Sequence, residues 1–84
     1  MLWFVKINIE LKEGVLDAQG KATYKALLSL GFNNVKEVRV GKIIEFQIDS
    51  ESREDVEIEI EEMCQKLLAN PVIEKYEYEI EAYK

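Results

Sequence analysis

WFVKINIEL, residues 3–11, decides the fold class of this 84-residue chain. Every second side chain of this stretch is apolar, so one face of an extended segment carries Trp3, Val5, Ile7, Ile9 and Leu11. A period of two is typical of a β-strand that is buried on one side only. The rest of the chain must therefore supply a layer that covers this apolar face, and amphipathic helices are the natural candidates.

Two helices are predicted from their caps and apolar spacings. Asp17 suits the N-cap of a helix that runs to about residue 30, and Gly31 suits the left-handed residue that follows a helix. Ser52 suits the cap of a second helix, which ends before Pro71. Residues 56–61, VEIEIE, alternate as a strand does, but a wider window favours a helix with an apolar face formed by Val56, Ile60, Met63, Cys64 and Leu67.

Three further strands complete the predicted order βαββαβ. They cover residues 35–40, 42–49 and 72–82, and Gly41 forms a tight turn between the first two. This order predicts an α+β, ferredoxin-like sandwich in which two helices cover one face of a four-stranded antiparallel sheet. Residues 1–84 are expected to form a single domain.

Composition and charge exclude several classes of function. Seventeen acidic side chains against eleven basic ones give a net charge of −6, which argues against binding to nucleic acid or to an anionic membrane. The chain has no histidine, the commonest general base and metal ligand. No apolar run is long enough to span a membrane, and the single cysteine suits a reducing, cytoplasmic setting. We expect no catalytic, cofactor-binding or metal-binding residue in this chain.

Charge and exposed apolar residues indicate where partners could bind. Residues 49–62 carry a net charge of −7, so the other seventy residues sum to +1, and the acidic stretch is interpreted as a solvated helix face. Tyr24, Leu28 and Ile58 lie outside the apolar arcs that should face the sheet, which favours a subunit contact. The last strand is predicted to be an edge, where Tyr78 would take part in edge-to-edge pairing.

Three stretches of the chain together resemble PurS, the small-subunit family of phosphoribosylformylglycinamidine synthase. The resemblance extends over nearly the whole chain, although the family usually has proline where this chain has Ala18. The stretches are KEGVLDAQGKATYKALLSLGF at 12–32, EVRVGKIIE at 37–45 and EEMCQKLLANPVIEKYEYEIE at 61–81.

The resemblance implies a non-catalytic assembly subunit in de novo purine biosynthesis. Such a subunit would bridge a large synthetase subunit, which binds ATP and Mg²⁺, and a glutaminase subunit, and would support ammonia transfer between them. It would also form a homo-oligomer, a dimer or a tetramer. The interface residues expected here are Tyr24, Leu28, Ile58 and Tyr78.

One alternative from a different class stays open at this point. Ferredoxin-like domains often sense small molecules such as amino acids between paired subunits, and the fold alone does not separate the two functions. Two other functional hypotheses have less support from the sequence. An acylphosphatase needs an arginine in the loop after the first strand, which KEGVLD lacks, and an RNA-binding sheet needs a basic surface.

Overall fold

The computed structural model describes residues 1–83 and contains three strands and two α-helices. The second helix continues into a single π-helical turn, Cys64–Leu68. The elements in chain order are β1 (Leu2–Leu11), α1 (Ala18–Ser29), β2 (Gly41–Asp49), α2 (Arg53–Met63) and β3 (Glu74–Ala82). The α+β class and the helical assignment of residues 56–61 are thereby confirmed.

The three strands form one antiparallel sheet with β1 in the centre. The strand order is β2-β1-β3, and Ile7 of β1 lies opposite Ile44 of β2 and Tyr78 of β3. In each strand apolar residues alternate with mostly polar ones, and the register places the apolar residues of neighbouring strands opposite each other. One face of the sheet is therefore apolar and the other is mainly polar. The central strand is therefore the one that is fully buried on its apolar face.

The core lies between this apolar face and α2. Ser52 caps α2 by accepting the backbone N–H of Asp55 at 3.2 Å, as the sequence predicted. The helix then places Val56 and Ile60, neither of which is exposed at all, over the central strand. The buried apolar cluster consists of Trp3, Val5, Ile7, Ile9, Val56, Ile60, Cys64, Ala69 and Ile80.

The π-helical turn changes which leucine faces the core. The backbone N–H of Ala69 donates to the carbonyl of Cys64, five residues earlier, at 3.1 Å. This turn holds one residue more than an α-helical turn, so the side chains beyond it shift around the helix axis. Leu68 packs against the core and Leu67 is 81% exposed, and the predicted burial of Leu67 is therefore wrong.

The predicted strand over residues 35–40 does not form, so the sheet has three strands and not four. The segment makes other hydrogen bonds: the backbone N–H of Val40 donates to the Asp17 carboxylate, and the side-chain guanidinium of Arg39 donates to the Leu11 carbonyl. The segment consequently packs along the start of α1. The outer edge of β2, with which the predicted strand over residues 35–40 would pair, is left without a neighbouring strand among the described residues.

The expected packing of α1 against the sheet is also absent. No α1 side chain belongs to the buried cluster or to the half-buried residues packed against it, within the part of the chain that the structure describes. The arc predicted to face the sheet is open instead: Ala22 and Ala26 are exposed, and Leu30 is 74% exposed. Only one of the two helices therefore covers the sheet.

The molecule is elongated as a result. Its extents are 51 × 30 × 15 Å and its radius of gyration is 16.6 Å, whereas a compact chain of this length has a radius of about 12 Å. Its accessible surface is 6369 Å², about 1,200 Å² more than a compact monomer of this size would expose. No helix within residues 1–83 is both long and apolar enough to cross a membrane.

Candidate assembly interface

Asp17 joins the start of α1 to the segment that leads into β2. One carboxylate oxygen accepts the N–H of Gly20 and the other accepts the N–H of Val40, both at 2.8 Å. The hydrogen bond from Val40, and to a smaller extent the one from Gly20, hold the pKa of the Asp17 carboxyl below its ordinary value, because each donor stabilises the charged form. The predicted N-cap is confirmed, and its second partner sets the position of α1.

Gly20 allows α1 and the following segment to approach closely. A Cβ placed on this residue would lie 2.5 Å from the Val38 carbonyl oxygen and 2.6 Å from Oδ2 of Asp17. No side chain fits at such distances, so glycine is required by the close approach. The contact fixes which face of α1 is turned inward.

Tyr24 and Leu28 lie on that inward face of α1. Both are half-buried, and Tyr24 lines a cleft of about 520 Å³ with Lys21, Lys36 and Arg39. Neither side chain packs against the main core. The proposed interface role of these two residues stays a prediction.

Ile58 lies on the outer face of α2 and is 64% exposed. Residues three and four positions away on a helix are its surface neighbours, and here all four are acidic. They are Glu54, Asp55, Glu61 and Glu62. An apolar side chain surrounded by carboxylates is well suited to a contact with a partner that offers an apolar pocket and basic groups at its rim.

Tyr78 lies beneath α2, on the same face of β3 as Tyr76. The phenol groups of Tyr76 and Tyr78 donate to the two carboxylate oxygens of Glu61, at 2.5 Å and 3.3 Å. The hydrogen bond to Glu61 raises the pKa of Tyr76, and burial together with the Glu61 charge raises the pKa of Tyr78. The structure therefore brings Tyr78 to α2, near Glu61 of the acidic face, and not to Tyr24 or Leu28.

Sequence reasoning missed an incompletely covered apolar area of the sheet. Ile44, Phe46 and Ile48 of β2 lie on the same face as the core but are only half-buried, because α1 does not cover them. The sequence predicted a strand over residues 42–49, but no sequence signal indicated that α1 would leave this area open. This area of β2 and the exposed face of α1 are two apolar surfaces that a partner could cover.

The described residues show no group that could hold a metal ion: within residues 1–83, no three His, Cys, Asp or Glu side chains are suitably placed. The thiol of Cys64 is buried, as predicted, and burial raises its pKa, which disfavours the reactive thiolate. Open apolar surface, in contrast, is abundant. These properties define the class of protein as a small α+β domain with incompletely covered apolar surface.

Comparisons with known proteins identify the family. The profile of PurS, phosphoribosylformylglycinamidine (FGAM) synthase, matches residues 4–82, and the chain belongs to this family. It is 59% identical over 70 residues to the phosphoribosylformylglycinamidine synthase subunit PurS of Archaeoglobus fulgidus, a match that covers 83% of this chain and 88% of the relative.

Solved structures agree with this assignment. The chain is similar to PurS of Methanocaldococcus jannaschii, described as one of the subunits of formylglycinamide ribonucleotide amidotransferase in the purine biosynthetic pathway. The TM-score is 0.86 at 49% identity, with 98% of this chain and 99% of the other covered. It is equally similar in TM-score, 0.86 at 29% identity, to a chain in the structure of PurLQS from Thermotoga maritima, covering 95% and 98% of the two chains. These relatives do not favour the alternative of an amino-acid sensor.

Proposed function

We propose that this chain, acting as a single domain, is the assembly subunit of phosphoribosylformylglycinamidine synthase and bridges a synthetase and a glutaminase subunit. The observation that carries the proposal is the likeness of the chain to a protein in the Thermotoga maritima PurLQS structure, which covers 95% of this chain. The Methanocaldococcus jannaschii relative is likewise described as one of several subunits in purine biosynthesis.

A bridging role explains why the complex would need a subunit without catalytic residues. Ammonia released into water at neutral pH is mostly protonated, and ammonium is not a nucleophile. A closed arrangement of the two active sites keeps the ammonia unprotonated until it replaces the formamide oxygen of the substrate. A subunit that binds only this arrangement stabilises it through differential affinity, without contacting a substrate.

The catalytic groups and cofactors are assigned to the partners. The chain has no histidine, and its charge of −6 would repel the phosphates of a nucleotide. The resemblance to the PurS family implies that ATP and Mg²⁺ bind to the synthetase subunit, and we assign them there. A reducing cytoplasm is the proposed location, where the buried thiol of Cys64 needs no partner cysteine.

Self-association is the second part of the proposal. The surplus of about 1,200 Å² of surface exceeds the roughly 800 Å² that each partner contributes to a standard protein interface. Tyr24 and Leu28 are half-buried outside the main core, and we assign them to this homo-oligomeric contact. The proposed oligomer is a dimer, or a tetramer built from dimers.

Ile58 is assigned to the contact with the larger subunits. It is remote in sequence from α1 and stands on the acidic outer face of α2, which Tyr78 supports through its hydrogen bond to Glu61. A basic, apolar-centred surface on the synthetase or the glutaminase would be complementary to it.

Co-elution of the three subunits tests the proposal. The chain is mixed with matching synthetase and glutaminase subunits, and the mass of the complex is measured by light scattering with and without it. Ile58→Lys should weaken association about tenfold, whereas Ile43→Lys, at a site of similar exposure (57%) on β2, should change it less than about twofold. Wild-type chain that never co-elutes with either subunit would overturn the bridging role.

A further inference from the structure

We propose that the outer edge of β3 binds an extended, basic segment of one of the two larger subunits, which joins the sheet as a fourth strand. The inference rests on the bridging role proposed above and names the kind of segment that this chain receives. Strand addition is a recurring mode of protein recognition, in which backbone hydrogen bonds provide affinity and alternate side chains provide specificity.

Every second residue of β3 directs its backbone groups away from the sheet. At one end of the ladder between β1 and β3, the N–H of Lys12 donates to the carbonyl of Ile73 at 2.8 Å. At the other end, the N–H of Tyr83 donates to the carbonyl of Leu2 at 2.9 Å. Because hydrogen-bonded residues alternate with outward-facing ones in an antiparallel ladder, the odd-numbered residues of β3 bond to β1 and the even-numbered ones face the outer edge.

The middle of this outer edge has free backbone groups. Near the start of β3, the N–H of Glu74 donates to a carbonyl of the preceding loop at 2.7 Å. Near its end, the carbonyl of Ile80 accepts the Arg53 guanidinium at 2.9 Å. Between these two points, no hydrogen bond within residues 1–83 uses the outward N–H and carbonyl groups of Tyr76 and Tyr78. Such an edge is a template for another strand.

Side chains of α2 hold the free edge in place. The phenol groups of both tyrosines donate to the carboxylate of Glu61. The Arg53 side chain that bonds to the Ile80 carbonyl also forms an ion pair with Glu57 at 3.3 Å. Because β3 is fixed to α2 along this flank, little of its conformational freedom would be lost when a strand binds.

The charges beside the free edge select a basic strand. Glu77, Glu79 and Glu81 are exposed on the polar face of the sheet and take part in no ion pair among the described residues. Only one of the three residues opposite them on β1 is basic, Lys6, and it also lies beside Glu45 of β2. A strand with Lys or Arg at every second position would place its cations opposite these carboxylates, and such cross-strand pairs are stabilising.

A second copy of this chain is the less suitable occupant. Two β3 strands paired edge to edge would bring the same glutamates together across the new ladder, and like charges that lie directly opposite are destabilising. Charged side chains on an edge protect a sheet from such uncontrolled pairing. The three carboxylates therefore disfavour self-pairing through β3 and favour a basic strand from a different chain.

Amide hydrogen exchange tests the strand addition directly. In the chain alone, exchange along β3 should alternate, fast at Tyr76 and Tyr78 and slow at Glu77 and Glu79, which are bonded to β1. In a complex with matching synthetase and glutaminase subunits, the alternation should disappear. The amides of Tyr76 and Tyr78 should then exchange at least about tenfold more slowly than in the chain alone.

Charge reversal tests the chemistry of the added strand. Glu77→Lys/Glu79→Lys should weaken association with the larger subunits at least about tenfold, measured by co-elution over a range of concentrations. Glu13→Lys/Glu37→Lys, an equal change of charge at two exposed sites outside the sheet, is the matched control and should change association less than about threefold.

The outcomes separate this inference from the bridging role. An alternation that persists in the complex, or unchanged association of Glu77→Lys/Glu79→Lys, would overturn the strand addition and leave the bridging role intact. Slow exchange of the Tyr76 and Tyr78 amides in the self-associated chain alone would place a second copy at this edge and would also overturn it. Wild-type chain that never co-elutes with either larger subunit would overturn the bridging role and this inference together.

Discussion

The carboxylate of Asp17 accepts the backbone N–H of Val40, 23 residues further along the chain, at 2.8 Å. The same side chain caps α1 through Gly20. One aspartate thus determines both where α1 begins and where the chain turns from α1 into β2. Because this N–H is used by Asp17, it is not available for a sheet ladder, and the segment before it follows α1.

Replacing Asp17 with Asn should loosen α1 from residues 35–40. The asparagine oxygen can accept one N–H, but its amide nitrogen cannot accept the other, so one backbone donor loses its partner. We expect the midpoint of thermal unfolding to fall by several degrees, measured by circular dichroism. Thr23→Ala, a nearby exposed change on α1, is the control.

The difference between the two proteins should also depend on pH. The pKa of Asp17 is lowered in the folded state, so its contribution to stability is present above the pKa of the unfolded chain, about 3.9, and is lost as the pH falls through the folded pKa. The gap in unfolding midpoint between wild type and Asp17→Asn should therefore close in acid. A gap that is constant down to about pH 2 would contradict the proposed role of the carboxylate.

Gly20→Ala should destabilise the protein although alanine favours helices. The new methyl group would lie 2.5 Å from the Val38 carbonyl oxygen, which is backbone and cannot rotate away. Relief of this overlap should cost about 1–3 kcal/mol, more than the gain of about 1 kcal/mol in helix propensity. Urea unfolding measures the difference, and a variant more stable than the wild type would show that α1 and residues 35–40 are not in close contact.

Neutralising Glu61 should lower the pKa of the two phenols that donate to it. Glu61→Gln removes the negative charge that disfavours the phenolate of Tyr76 and Tyr78. Ultraviolet titration should show the tyrosines ionising at lower pH than in the wild type. Glu77→Gln, on the opposite face of β3, should leave their titration unchanged, and equal shifts in both variants would mean that general charge explains the effect.

Cys64 should react with thiol reagents only when the protein unfolds. Its side chain has no exposed surface and its pKa is raised by burial, so both access and thiolate formation are disfavoured. The rate of modification in native buffer should be at least about a hundredfold below the rate in denaturant. Rapid labelling of the native protein would show that α2 and the π-helical turn open readily.

The elements that depend on local patterns could be predicted from the sequence. The alternation in β1 and the caps Asp17 and Ser52 are encoded within a few residues, and each was found where expected. The buried face of α2 was also predicted correctly as far as Cys64. Beyond it, the additional residue of the π-helical turn brings Leu68 to the core where the sequence predicted Leu67. A single inserted residue leaves almost no trace in an apolar period.

The errors concern contacts between distant residues. Residues 35–40 have the composition of a strand, but a hydrogen bond from Val40 to a carboxylate 23 positions earlier competes with the sheet. The apolar residues of α1 have the spacing of a helix that packs on a sheet, but spacing alone does not show whether the helix reaches the sheet of its own chain. The proposed assembly function could be predicted only through the resemblance to PurS, because no group of residues recognised in the sequence indicates a reaction.

The most direct test of the assembly role separates ammonia production from ammonia use. Amidine formation is assayed with glutamine, using synthetase and glutaminase subunits with and without this chain, and with ammonium, using the synthetase alone. The account predicts that glutamine-driven turnover requires the chain and that ammonium-driven turnover does not. Glutamine-driven turnover that is the same with and without the chain would contradict it.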